Sequence, residues 1–424
     1  MTESKRGLAA GTGGSVVVEA CQVCGAGDLE SVLFLGFLPP VNTMRPQGER
    51  PREQPSYPAE MLRCRRCQLV QLGLVVDPQV LFPPEYPYTS GTTRILRENF
   101  QQLSEECREV VGYGPEDLVV DVGSNDGTLL AAFVGKARVL GIEPTQAGEL
   151  AKARGIETYT AFFGPEVVAR AVAERRPAHI VTATNVFAHI EDVNAVVESV
   201  LALLGPKGVF ISESHYLLSL VETLQYDTIY HEHLRYYSLT ALRHLLERHG
   251  LEVFHARRIP THGGSIRVYA ARRGERPVRS SVADLLAAEQ KADLHGAGLQ
   301  RFKKDVVLSK MRLHALLVDL KRTGARIYGI GAPSRASTLM NYVGLGDGIV
   351  DCVLEVKGSH KTGKYMPGTL VPVLEEGKLF EDQPEYAMLL SWHIAEELIP
   401  KLREKGFRGR YIVPLPEPRI LEGA

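Results

Sequence analysis

The sequence predicts an α/β protein in three parts, a small cysteine-bearing N-terminal module followed by two Rossmann-like domains, and three observations carry that reading. The chain has 424 residues, a prior of about three domains at ~150 residues each. Two C-x-x-C pairs fall within its first 67 residues. From Leu118 onward, apolar runs alternate with helical periodicity in two separate stretches, the texture of parallel sheets covered on both faces. The formal charge of −1 argues against a protein held on nucleic acid or an anionic membrane by bulk electrostatics. No run approaches the ~20 apolar residues of a membrane span, and the start, MTESKRGLAAGTGGSVVVEA, lacks the apolar stretch of a secretory signal. The expected location is the cytoplasm.

In chain order, residues 1–20 are Gly/Ala-rich and read as a disordered tail. Residues 21–85 read as short strands broken by Pro, Gly and Asn. EYPYTSGTTRILRENFQQLSEECREVVGYG turns helical, with Ile95, Leu96, Phe100 and Leu103 three or four apart, and opens a domain over 86–274. Its strand candidates are LVVDV, RVLGI, HIVTAT and GVFISES, separated by helices, with the helix LTALRHLLERHG and a strand pair, LEVFHARRI and SIRVYAARR, at the end. Residues 275–424 begin with a long helical stretch and then repeat the pattern at ARIYGIGAPSR, IVDCVLE, YAMLLSW and RYIVPLP.

Cys21-x-x-Cys24 and Cys64-x-x-Cys67 supply four thiolates at the spacing of a tetrahedral zinc site. With every position filled by protein, the metal is expected to be structural, holding a module too small for a core of its own. Neither pair lies in the βαβ setting of a redox dithiol.

DVGSNDGTLL places Asp121, Gly123, Asn125, Asp126 and Gly127 on a strand-to-helix turn, where backbone amides approach a ligand closely. About 20 residues on, GIEP puts Glu143 where an acidic side chain accepts hydrogen bonds from ribose hydroxyls. The turn is not G-x-G-x-x-G, and Asn125 and Asp126 would repel a pyrophosphate while suiting a cationic, amino-acid-bearing ligand. S-adenosylmethionine therefore fits better than NAD. TNVFAHIED ends the next strand, so Asn185 and His189 should face the same crevice.

Tyr230, His231, Glu232 and His233 concentrate two imidazoles, a carboxylate and a phenol in four residues. Imidazole is a base near neutral pH, and a neighbouring Glu or Tyr can orient it. A metal site is the alternative, incomplete without a third nearby ligand. His262-Gly-Gly-Ser265 adds a second His and a hydroxyl on a tight turn that serves structure alone in the plainer reading. In the third part, Gly329, Gly331, Ser334 and Arg335 form a turn suited to an anion, with Lys361 in the loop KGSHKTGKYMPG. No acidic ribose partner follows this turn in good position, so a phosphorylated substrate is expected there rather than NAD.

Over residues 21–416 the chain resembles the zinc-containing sugar C-methyltransferases that act on nucleotide-linked 4-keto-deoxysugars in bacterial natural-product biosynthesis. The matching segments are the cysteine pairs, YPAEMLRCRRCQLVQL, EYPYTS, DVGSNDGTLL, GIEP, NVFAHIED, IYHEHLRYYSL, HGGSIRVYAAR, GAPSRASTLMNY and KTGKYMPGTLVPV. GIGAPSRAS departs from the lysine-containing form common in that family, and Glu355 and His393 stand where Asp and Asn are frequent. The resemblance implies a methyltransferase domain in the centre and a nucleotide-sugar-binding domain at the C-terminus. It implies His233 as general base, with Tyr230, Glu232 and His189 in support, and substrate contacts from Tyr86, Tyr88, His262, Ser265, Ser334, Arg335 and Lys361. The base would form an enolate at C3 or C5, and Tyr230 or His189 would stabilise its oxygen. Zinc would stay distant from this chemistry.

The rivals are a zinc-ribbon RNA methyltransferase, against which near-zero charge argues, and an NAD-dependent protein of two α/β domains. The sugar, the methylated carbon, the nucleotide and the oligomeric state are left open, a monomer included.

Overall fold

The computed structural model describes residues 9–10, 14–81 and 94–422. Tyr86 and Tyr88, and the expected boundary at 85, lie outside the described residues. Three main sheets organise the chain.

The first sheet belongs mostly to the cysteine module. Strands Leu29–Leu38, Tyr57–Cys64 and Val70–Leu72 pair antiparallel, and its edge strand, Arg235–Tyr236, comes from much later in the chain. The segment that follows His233 thus completes the module's sheet. Ser15–Val17 pairs with Leu74–Val75, so the tail expected to be disordered through residue 20 forms a strand from Ser15; its backbone groups find partners there and Ser15 is buried.

The central sheet has seven strands in the order Thr158–Tyr159, Arg138–Ile142, Leu118–Val122, Ala178–Thr184, Leu204–His215, Ser265–Arg272, Leu251–Ile259. The order reverses beside Leu118–Val122, and ligands of doubly wound sheets bind outside the strand ends at such a point. Leu118–Val122 is buried along its whole length, as its LVVDV run requires of a strand covered on both faces. Ser265–Arg272, the second of the expected strand pair, runs antiparallel to both neighbours. The cause is the short turn before it. Thr261–Gly264 is far too short for a crossover, so it forms a hairpin. Gly264 sits at φ +123°, and a Cβ there would lie 2.5 Å from the Ser219 Cβ. Helix ends carry the expected caps: Asp192 accepts from the Ala195 amide before Val193–Leu203, and Ser238 from the Ala241 amide before Leu239–Arg248.

The third sheet has six strands in the order Val373–Glu375, Cys352–Glu355, Ile327–Ile330, Tyr386–Leu389, Arg410–Val413, Arg419–Leu421, with the last pair antiparallel. The expected cut at 274 coincides with the end of the central sheet, but the next helix, Ser280–Ala292, stays on the central domain. Its buried Glu289 accepts from the Tyr216 hydroxyl at 2.9 Å and the Thr240 hydroxyl at 2.7 Å. Among the described residues no helix is long and apolar enough to cross a membrane.

Candidate active site

Cys21, Cys24, Cys64 and Cys67 are buried, and their sulfurs lie within 4.8 Å of one another. Cys21 Sγ is 3.4 Å from Cys67 Sγ, and Cys24 Sγ is 3.5 Å from Cys64 Sγ. Four thiols gathered this tightly suit one zinc ion at ~2.3 Å from each sulfur, with no position left for substrate. Among the described residues no other group comes together as metal ligands do, and the histidines considered below are not read as a metal site.

The turn after Leu118–Val122 is shaped as a cradle. Gly123 has φ +69°, and a Cβ there would meet the Val186 side chain at 2.7 Å. Asn125 and Gly127 also take positive φ. Glu143 Oε2 accepts from the Asn125 amide and Oε1 from the Thr145 amide, each at 2.9 Å. Each carboxylate oxygen keeps acceptor capacity for a ribose hydroxyl, so the donor set fits the adenosine end of S-adenosylmethionine. Asp121 lies buried beneath the turn, accepting from the Thr182 hydroxyl at 2.6 Å, and burial pushes its carboxyl up to about 7. Asp126 faces the fold: it accepts from the Thr128 hydroxyl at 2.6 Å and pairs with Arg154 at 3.0 Å. Asn185, at φ +58°, donates its amide to the Glu213 carbonyl at the crevice edge.

The four residues 230–233 divide by direction. His231 turns to the cysteine module, its Nε2–H donating to the Pro58 carbonyl at 3.3 Å beside the Tyr57 ring. Burial lowers its pKa to about 4. Glu232 accepts from Asn42 Nδ2, also of that module, at 2.7 Å. His233 turns to the crevice among aromatic neighbours. Its ring centroid lies 4.1 Å from Tyr230, 5.1 Å from His189 and 5.0 Å from His215.

Main-chain carbonyls set two tautomers. His233 Nδ1–H donates to the Thr228 carbonyl at 2.9 Å, and His189 Nδ1–H to the Glu232 carbonyl at 2.6 Å. A carbonyl only accepts, so the proton of each neutral ring sits on Nδ1 and the lone pair on Nε2. Burial holds His233 well below the ordinary imidazole range and lowers His189. His262 has φ +57° and a buried Nε2 with no hydrogen-bond partner among the described residues; its pKa falls to about 4 through burial. The Ser265 hydroxyl donates to the Thr261 carbonyl and closes the turn.

The third domain meets this cluster through Arg335, in a way the expected anion site did not anticipate. Its guanidinium pairs with Asp227 at 2.9 and 3.0 Å, donates to Gln225 Oε1 at 3.0 Å and to His393 Nδ1 at 2.7 Å. Trp392 Nε1–H donates to the same Asp227 at 2.7 Å. A guanidinium engaged on three side chains is an interdomain clamp, not a free phosphate ligand. Ser334 opens the helix Ser334–Val343, and Lys361 Nζ donates to the Ala332 carbonyl beside it at 2.6 Å.

The sequence placed no acidic side chain against this turn, and the structure brings one there. Glu355 ends the neighbouring strand, and its Oε2 accepts from the Ala332 amide and Oε1 from the Val356 amide, each at 3.0 Å. That repeats the arrangement of Glu143 on its own turn. His215, His393, Asp227 and Asn42 were not singled out in sequence as site residues. Signals did exist for three of them: His215 ends a strand at the crevice edge, Asp227 borders the Tyr230–His233 segment, and His393 stands where the resembled family often has Asn.

Comparison with known proteins matches three consecutive family descriptions: a zinc binding domain over residues 21–82, a methyltransferase domain over 88–256 and a C-methyltransferase C-terminal domain over 260–416. The chain is 35% identical over 415 residues to the C-methyltransferase NovU of Streptomyces niveus, covering 95% of this chain and 97% of that one. Among solved structures, magnesium protoporphyrin IX methyltransferase from Synechocystis with bound S-adenosylmethionine aligns at 16% identity and TM-score 0.33, over 44% of this chain and 87% of that one. The CcbJ methyltransferase of Streptomyces caelestis aligns at 12% identity and TM-score 0.33, over 41% and 89%.

Proposed function

The chain belongs to the S-adenosylmethionine-dependent C-methyltransferases that carry an N-terminal zinc module, and from that premise we propose that it methylates a nucleotide-linked 4-keto-deoxysugar on the ring carbon next to the ketone. The single observation that carries this reading is the tautomer of His233. With Nδ1–H held by the Thr228 carbonyl and the ring kept neutral by burial, Nε2 is a lone pair available for proton abstraction. A ketone acidifies the C–H beside it; His233 Nε2 takes that proton, and the electron pair of the broken C–H bond passes into an enolate.

Tyr230, stacked on the base, is the donor to the enolate oxygen. His189 is not suited to that task. Its proton is committed to the Glu232 carbonyl, and the neutral ring offers only an acceptor at Nε2. Its role is to pack beside His233 and keep that ring neutral. Asn42 anchors Glu232, so the carboxylate orients the catalytic segment.

Bound S-adenosylmethionine supplies an electrophilic methyl group. Glu143 would hold its ribose and the Gly123–Gly127 turn its methionyl end, with Asp121 beneath and Asn185 at the rim. Asp126 acts indirectly, by capping that turn. For the nucleotide of the sugar, Glu355 is the ribose acceptor and Ser334 and Lys361 flank the diphosphate, while His262 faces the sugar. Arg335 holds the two domains together around it. Zinc takes no part in the reaction.

The test is product analysis with thymidine-diphosphate-linked 4-keto-deoxyhexoses. One methyl attached to ring carbon, by mass spectrometry and NMR, is the expected result; transfer to oxygen or nitrogen would overturn the reading.

A further inference from the structure

His233 can take a proton, but the structure gives it no exit through Nδ1. That nitrogen sits on a main-chain carbonyl, which cannot accept a proton, so each turnover must discharge His233 through Nε2. Two imidazoles flank the ring. His189 leads back to the Glu232 carbonyl. His215 leads onward: its ring stands edge-on to His233 at 5.0 Å and to His262 at 5.5 Å, and the His262 Nε2 beyond it is buried with no partner among the described residues.

We propose that His215 is the relay that accepts the proton from His233 and releases it toward crevice water, with His262 behind it as a second station. The inference rests on the enolate reading above. The step balances as a proton transfer: the N–H bond at His233 Nε2 breaks, its electron pair stays on that nitrogen as the restored lone pair, and a nitrogen of His215 forms the new N–H bond, directly or across one water. His215 ends the strand Leu204–His215 at the crevice edge and is partly exposed, whereas His233 is buried, so the transfer carries the proton outward. A neutral acceptor is needed, and the ring is held neutral by burial and by facing His233, His262, Arg335 and His189.

A relay differs from a structural residue in what it slows. The protein is given adenosylhomocysteine and a thymidine-diphosphate-linked 4-keto-deoxyhexose deuterated at the reactive carbon, and loss of deuterium to water is followed. Single-turnover methylation with S-adenosylmethionine is measured in parallel. His215→Asn should slow deuterium loss and steady-state turnover by about ten-fold or more, while single-turnover methylation changes by less than about three-fold, because the trapped deuteron returns to carbon. Added imidazole should restore the loss, and His262→Gln should slow it less.

Equal falls in single-turnover methylation and deuterium loss mean a structural role, and unchanged rates mean no role; either overturns the relay. If His233→Asn abolishes exchange while His215→Asn changes nothing, the relay alone fails. If His233→Asn leaves exchange intact, the enolate reading fails with it.

Discussion

Arg235, two residues after the proposed base, lies opposite Gln71 in an antiparallel ladder, so the zinc module and the catalytic segment share one sheet. The buried Arg235 side chain also donates to the carbonyls of Phe187, Ile190 and Glu191, which surround His189. One residue therefore links three things, through its backbone and its side chain: the strand after the second cysteine pair, the loop of His189 and the loop of His233. Zinc is remote from the chemistry in its role but close to it in the chain of support.

Replacing Cys64 or Cys67 with Ser should therefore remove activity as well as metal. Val70–Leu72 follows Cys67 directly, and loss of the ion unfolds the strand on which Arg235–Tyr236 is paired. Metal analysis and the exchange assay on the same sample check this. A metal-free protein with native exchange would refute it.

Glu143→Ala should weaken S-adenosylmethionine binding by about 1.5–3 kcal/mol, the worth of hydrogen bonds to a charged acceptor. It also frees the Asn125 and Thr145 amides, so Glu143→Gln should weaken binding less. Calorimetric titration reads both.

Asp227→Asn should destabilise the protein by about 3–5 kcal/mol, because it leaves the buried Arg335 without its counter-charge. The chain has one tryptophan, Trp392, and its indole donates to Asp227. Its fluorescence should shift with the substitution and report domain separation during unfolding. Arg335→Lys should also destabilise, since a single ammonium cannot make the paired contact.

Stability should fall on mild acidification. His215, His231, His233, His262 and His393 are all depressed by burial, to about 4 for His231 and His262 and about 2 for His393. A folded value below the unfolded 6.5 means that protons favour the unfolded chain, so stability is complete above 6.5 and falls below it. Asp121, raised to about 7, acts with the opposite sign and offsets part of the loss. The five histidines together outweigh the one carboxyl, so the net is a decrease in stability from pH 7 to pH 5.5, measurable by denaturant unfolding. A flat profile would show that these histidines are not buried as neutral groups.

What could be read from sequence was local. The cysteine pairs, the Gly123–Gly127 turn with Glu143, and Tyr230–His233 each declare themselves within a few residues, because ligand spacing and strand-end placement are short-range rules. Arg335 was misleading for the opposite reason: its partner Asp227 lies 108 residues earlier, and an isolated Arg on a Gly-bearing turn looks the same whether it awaits a phosphate or a carboxylate. The pairing of Arg235 with Gln71 was equally invisible, since a two-residue strand has no periodicity. The contact of Glu355 with the Ala332 amide was equally hidden, because only the sheet order shows that its strand lies beside Ile327–Ile330.

The central claim is that His233 removes the sugar proton, and hydrogen exchange without methyl transfer tests it most directly. Protein saturated with adenosylhomocysteine is incubated with a thymidine-diphosphate-linked 4-keto-deoxyhexose in heavy water, and NMR follows the hydrogen next to the ketone. The account predicts exchange in the native protein and none in His233→Asn, which approximates the ring's shape but accepts no proton at neutral pH, while cofactor binding by that variant stays intact. Near-normal exchange in His233→Asn, with loss in His189→Asn, would contradict it and move the base to the loop after Ala178–Thr184.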